Sequence, residues 1–246
     1  MNNTLKSLMI GGSMLAAVPA YAEVEVEVHA GYHSIYEFRG VDFGDDLIEA
    51  GVDFSTELAE GLSLSGGVWY ADSDGNSGVS SFDELDLYIG LTKTLGQFDV
   101  SVGYTYYAFP GSVSGSNTDE VYLGVSTELA CGLGLSLTYF EDIDVIDGGY
   151  LEFEASKSYA LSECVSLDLA VGAAWSFDYN ADVDGSALDG FNHYFVSVSA
   201  PWAIRDNITL TPYVKFVGAG SDLLNDFETG TSDDLFLGGV SLSYTF

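Results

Sequence analysis

The sequence predicts an all-β fold: a transmembrane, antiparallel, up-and-down β-barrel of about twelve strands, with short periplasmic turns and longer external loops. Three observations predict it. Apolar and polar residues alternate at period two through most of the chain after residue 22, so each segment has one face for an apolar medium and one for a polar medium. None of the alternating segments is shorter than eleven residues, whereas soluble strands average about 5–6 and membrane-spanning barrel strands need about 9–11. The connections between them alternate short and long, as the two ends of an outer-membrane barrel do.

The elements follow in order. Residues 1–22, MNNTLKSLMIGGSMLAAVPAYA, carry one charge (Lys6), an apolar run from Leu8 to Val18 and a small-x-small site at Ala20-Tyr21-Ala22. That is the pattern of a cleaved secretory signal peptide. It leaves residues 23–246, 224 residues, as one outer-membrane barrel domain. The first strand, 24–39, opens VEVEV with every second residue Val. Strand 46–58 sets Phe54 against Glu49 and Asp53, and strand 62–72 carries Val68 and Tyr70 on its apolar face. Strand 82–94 puts Leu85, Leu87, Ile89 and Leu91 on one face and Glu84, Asp86, Tyr88 and Gly90 on the other. Strands 97–109, 118–129, 132–142 and 148–159 continue with Val100, Val102, Tyr104 and Tyr106, then inward Glu120, then Leu135, Leu137 and Tyr139, then Phe153 between Glu152 and Glu154. Strand 164–178 is the longest clean alternation after the first, from Val165 to Phe177. Strands 190–200, 207–217 and 234–246 complete the set, the last ending SLSYTF with Gly238, Val240, Leu242, Tyr244 and Phe246 on one face. Short connections fall at 59–61, 95–96, 130–131, 160–163 and 201–206, and longer ones at 40–45, 73–81, 110–117, 143–147, 179–189 and 218–233. An even strand count returns both ends of the chain to the periplasmic rim, where the last strand pairs with the first near VEVEV and leaves no open edge.

Charge sharpens the assignment. The chain has 38 acidic and 6 basic residues, a net charge of −32 that becomes −33 once Lys6 is removed with the leader. Nucleic acid is excluded as a partner, since it needs a cationic surface, and anionic solutes would be repelled. Yet 47% of residues are hydrophobic and 14% aromatic, far from a disordered composition. The two facts are reconciled if the acids line a wet lumen and the loops while the apolar residues face lipid, which offers no hydrogen bonds. Outward residues then include Val24, Val26, Val28, Tyr32, Tyr36, Phe38, Tyr70, Tyr104, Tyr139, Val214, Phe216 and Phe236, with aromatics near strand ends as interfacial girdles require. Inward residues include Glu25, Glu27, Glu37, Arg39, Glu49, Asp53, Glu84, Asp86, Asp99, Glu120, Glu152, Glu154, Asp168 and Lys215.

Four stretches resemble a known family. YEFRG at 36–40, ELDLYIG at 84–90, GYTYYAFPG at 103–111 and DEVYLGVS at 119–126 are similar to the TorF-type porins, a proteobacterial outer-membrane group. The matched residues are Arg39 and Gly40; Glu84, Asp86, Tyr88 and Gly90; Gly103, Tyr104, Tyr106, Tyr107 and Pro110; and Glu120, Val121, Tyr122 and Gly124. The resemblance spans about residues 32–246; this chain departs from it in being far more acidic and in a short 143–147 loop. It implies an outer-membrane barrel in a Gram-negative bacterium and a porin, and names no solute.

The matched polar residues predict a charged cluster at the outer mouth: Arg39 as its one strong cation among Glu37, Glu49, Glu84, Asp86 and Glu120, with Tyr88, Tyr107 and Tyr122 as lumen aromatics. Rings of acidic side chains favour cations, so one reading is passive diffusion of small cationic or neutral solutes. The other is a salt-bridged network that plugs a narrow barrel: about 8 strands are filled by side chains and about 16–18 leave a channel. The third class, an outer-membrane enzyme, needs a nucleophile beside a histidine. His29, His33 and His193 are available, but no G-x-S-x-G stands in the sequence. No cofactor and no Cys/His metal spacing is called for. DSDGNSG (Asp72, Asp74, Asn76) and DYNADVDGSALD (Asp178, Asn180, Asp182, Asp189) echo calcium-loop spacing but lack Gly at the sixth place, so solvated loop acids are expected. Cys131 and Cys164 open two strands separated by one other, within about 10 Å at the ordinary strand spacing, so a disulfide is open to them. Expected partners are outer-membrane lipids, small solutes and the barrel-insertion machinery, whose recognition signal the terminal aromatic Phe246 resembles.

Overall fold

The computed structural model describes residues 24–75, 80–110, 117–226 and 230–246. The leader at 1–22 lies outside them. Among the described residues there are thirteen strands: β1 Glu25–Phe38, β2 Val41–Ala59, β3 Leu62–Asp74, β4 Phe82–Leu95, β5 Phe98–Ala108, β6 Thr118–Glu128, β7 Gly134–Asp142, β8 Gly149–Ala160, β9 Ser166–Ala181, β10 Ala187–Ser199, β11 Trp202–Arg205, β12 Ile208–Ala219 and β13 Leu235–Thr245. Each of β1 to β9 pairs antiparallel with the next, β12 pairs with β13 and β10, and β13 pairs with β1. The result is a closed twelve-strand barrel, with the four-residue β11 attached to β12 at the short-turn rim. Closure is what lets every barrel strand satisfy its backbone groups without water. At the seam Glu27 opposes Thr245, Val28 opposes Tyr244, and the Phe246 amide donates to the Val26 carbonyl at 2.9 Å.

The register confirms the two faces almost throughout. Leu85, Leu87, Ile89 and Leu91 point outward, as do Val240, Leu242 and Tyr244. Outward aromatics gather at both ends: Tyr70, Tyr104, Tyr139, Phe177, Phe191 and Phe236 toward the long-loop, outer end, and Phe98, Tyr159, Trp202 and Tyr244 toward the short-turn, inner end. Large apolar side chains are therefore exposed around the outside while carboxylates such as Glu49, Glu84 and Glu120 are buried inside, the reverse of a soluble domain. One glycine pair is needed for lumen packing. A Cβ on Gly103 would come 2.3 Å from the Tyr122 ring, and one on Gly90 2.5 Å from its hydroxyl, so Tyr122 lies flat across two bare strands.

Two expectations are corrected. The connection at 40–45 is not a longer loop: β2 begins at Val41, and Arg39-Gly40 alone joins it to β1. Tyr36 and Phe38 do not face lipid. The β1–β2 register shifts between Ile35 and Glu37, a bulge that breaks strict alternation, so Tyr36 (4% exposed) and Phe38 turn inward with Glu37. Cys131 and Cys164 are separate, exposed thiols. The Cys164 turn is tied instead to β11, its carbonyl accepting from the Ala203 amide at 2.8 Å.

Candidate functional site in the barrel lumen

The end of the first hairpin lies inside the barrel. Arg39 (φ 52°) and Gly40 (φ 84°) are both left-handed, the paired geometry of a two-residue hairpin turn that matches strand twist. Gly40 is required twice over, because a Cβ there would also meet His193 Nδ1 at 2.7 Å. Below the turn the hairpin leaves the wall. The β1–β13 ladder stops at His33–Gly239, and the β2–β3 ladder shifts register between Asp45 and Ile48. Residues 35–44 thus leave the β13 and β3 ladders and bend across the axis.

The wall opposite receives the tip. Arg39 makes a two-pronged ion pair with Glu120 of β6, Nη1–Oε2 2.5 Å and Nη2–Oε1 2.9 Å. Its guanidinium carbon sits 4.4–4.8 Å from the ring centres of Phe38, Phe140, Tyr150 and Tyr179. Tyr107 and Tyr179 donate to Glu120 at 3.2 and 3.3 Å. Three amides hold the turn's backbone: Asn192 and Asn180 donate to the Arg39 carbonyl at 2.7 and 3.2 Å, and Asn225 to the Gly40 carbonyl at 3.0 Å. The Gly40 amide donates to Glu37 at 2.8 Å, and Glu37 is ion-paired to Lys215 at 2.5 Å. Val41 is covered by Leu188 at the start of β10 and by Leu223 of the outer loop after β12, a loop bridged to the β9–β10 connection at Asp182–Leu223.

The residues of the expected mouth cluster do not form one cluster but fall into separate units. Arg39 and Glu120 form one unit. Glu37 belongs to a second with Lys215, so Arg39 is not the one strong cation there. Glu84 and Asp86 form a third, with the Tyr36 hydroxyl donating to Glu84 at 2.5 Å. Glu49 lies lower, its carboxylate 3.0 Å from His29 and accepting from Trp69 Nε1 at 2.9 Å. His29 also meets Asp53 at 3.2 Å, and Tyr88 donates to Asp53. His33 bonds the Tyr213 hydroxyl at 2.7 Å, and His193 bonds Asn192 at 3.0 Å. Tyr88, Tyr107 and Tyr122 all face the lumen, as expected.

Nearer the short-turn end the wall changes character. Ser55, Ser63, Ser65, Thr92, Ser101, Ser126, Ser136, Ser156, Ser197 and Ser241 occupy inward register positions, interspersed with Asp99, Glu154 and Asp168. The lumen has an aromatic outer half built around the Arg39–Glu120 and Lys215–Glu37 pairs and an inner half of small polar side chains, carboxylates and the His29–Asp53 pair.

Sequence reasoning missed Tyr150, Tyr179, Asn180, Asn192 and Asn225. Asn180 was read within a calcium-like stretch; it binds the tip instead, while Asp182 accepts from the amides of Asp184 and Ser186 at 3.0 and 2.8 Å and shapes its own turn. Asn76 and Ser77 of DSDGNSG lie outside the described residues. Among the described residues no group of three or more His, Cys, Asp or Glu is arranged to hold a metal ion.

The family model described as "Bacterial protein of unknown function (Gcw_chp)" matches residues 19–186. No curated protein matches the chain. Solved structures share the fold at low identity. The COG4313 outer membrane channel from Pseudomonas putida F1 is 13% identical with a TM-score of 0.57, over 94% of this chain and 97% of that one. The KdgM porin is 13% identical at TM-score 0.53, over 90% and 99%. The NanC porin is 12% identical at TM-score 0.53, over 89% and 98%.

Proposed function

The chain belongs to the Gcw_chp family of bacterial proteins of unknown function, and from that starting point we propose that it is an outer-membrane porin-like channel of a Gram-negative bacterium, passing small neutral or cationic solutes and held shut at its outer end by its own first hairpin. The observation that carries this reading is the two-part lumen. Short serine and threonine side chains on the inner half of a twelve-strand wall fill less of its cross-section than the aromatics above them; on this reading water occupies the rest, and the carboxylates among them repel anions. Outer-membrane lipids cover the apolar exterior, and the strand carrying Phe246 is the part offered to the barrel-insertion machinery. The likeness in fold to outer-membrane channels and porins supports the location. An enzyme has less support, since the three lumen histidines bond carboxylates, a tyrosine and an asparagine.

Planar-bilayer recording tests the proposal. The wild-type protein should open rarely, and Asn192→Ala/Asn225→Ala, which removes two of the three amides that hold the tip carbonyls, should conduct with cation preference. Anion preference, or silence of a folded double variant, would overturn it. Silence would favour the second reading, a permanently plugged barrel, for which the specific observation is the nearly complete burial of the Arg39 side chain, 7% exposed.

A further inference from the structure

The Arg39 pocket has the chemistry of a receptor. Its walls come from four different strand regions: Glu120 on β6, Phe140 on β7, Tyr150 on β8 and Tyr179 near the end of β9. They meet one flat cation with a two-pronged carboxylate and aromatic faces, the combination that discriminates guanidinium from the compact, strongly hydrated ammonium. A plug does not need this. An apolar tip packed on Val41, Leu188 and Leu223 would block the mouth without burying a charge, and a buried ion pair adds little stability over an apolar substitute. The tip has lost its ladder to β13 and is held by side-chain contacts, to Glu120 and to three asparagine amides, that can be exchanged one by one. The lumen below it is acidic, so cations are concentrated at the cage's inner side.

We propose that Glu120, Phe140, Tyr150 and Tyr179 form a binding site for guanidinium cations, that Arg39 is its resident internal ligand in the closed state, and that a soluble guanidinium compound competes with Arg39 and releases the hairpin tip. The binding half stands whether or not the barrel conducts; only the gating half rests on the channel reading. Because Arg39 is tethered, its effective concentration at the cage is in the millimolar range or above, so a free competitor acts on the wild type only at comparable concentrations.

The probe is methylguanidinium, with methylammonium at equal ionic strength as the control. Arg39→Ala, checked for folding by heat-modifiable gel mobility, should bind methylguanidinium saturably and at least tenfold more tightly than methylammonium. Arg39→Ala/Glu120→Gln should lose that binding at least tenfold. In the wild type, hydrogen exchange of residues 36–43 should rise with methylguanidinium and stay unchanged with methylammonium, a readout that needs no variant to fold. No saturable binding to folded Arg39→Ala, equal binding of the two cations, or wild-type exchange that ignores methylguanidinium would each overturn the site. Binding and exchange as expected, with bilayers that remain silent, would retain the site and remove the channel.

Discussion

At Gly40 one missing methyl group serves two ends. Its φ of 84° belongs to the left-handed region, and its face lies against the His193 ring. Gly40→Ala should therefore destabilise the barrel by about 1–3 kcal/mol, measured as a lower urea midpoint for loss of heat-modifiable mobility; an unchanged midpoint would mean the turn is free to relax. Asp142 is the comparable residue on the opposite wall. One of its oxygens accepts from the amides of Asp144, Ile146 and Asp147 at 2.9–3.1 Å, and the other from the Thr118 hydroxyl at 2.6 Å. Asp142→Ala leaves those amides without their acceptor, and exchange in residues 143–148 should quicken by tenfold or more while β7 and β8 stay protected. At this scale the sequence showed which charges face inward but not which ones meet. Glu37, Glu84 and Glu120 have the right parity, yet their partners are 48 to 178 residues away, and only closure of the barrel brings them together.

Among elements, the strands were legible because the membrane imposes a strict code. Lipid outside and water inside make period-two alternation compulsory, and most predicted ends agree with the structure to within two or three residues. The assignment misses the four-residue β11 inside the expected 201–206 connection and fails at residues 35–45, and the second failure has a physical cause. A bulge inserts a phase change that parity counting cannot see, so Tyr36 and Phe38 seem to face lipid when they fold inward. The three asparagine amides that hold the tip gave no signal either, since nothing in Asn180, Asn192 or Asn225 marks them as neighbours. Their joint role is testable without any channel assay. Asn192→Ala/Asn225→Ala leaves the Gly40 carbonyl without its side-chain donor, costing about 1–3 kcal/mol, and the Arg39 carbonyl with Asn180 alone, and exchange at 36–43 should rise well above that of β12 and β13. Uniform loosening of all three would instead point to damage of the whole barrel.

For the whole molecule, the imbalance of 38 acidic against 6 basic residues is distributed by the fold rather than pooled. The strong cations inside are committed, Arg39 to Glu120 and Lys215 to Glu37, and in the proposed channel the lumen carboxylates without a basic partner would act on mobile ions. Cation preference of an unlatched barrel should accordingly fall as salt rises from 0.1 to 1 M, because the screening length contracts from about 10 Å to about 3 Å; selectivity that is constant over that range would place its origin in steric fit.

Confining the obstruction to one end also has an electrical consequence. In the proposed channel the inner half is wet and conducts while the packed outer half does not, so a potential applied across the membrane would fall almost wholly over the thin septum around Arg39. The septum holds a positive charge on a displaceable arm and a negative one fixed in the wall. A field of one polarity seats the arm and the opposite polarity draws it out, so current through the barrel should rectify, with the chain's own arginine as the sensor.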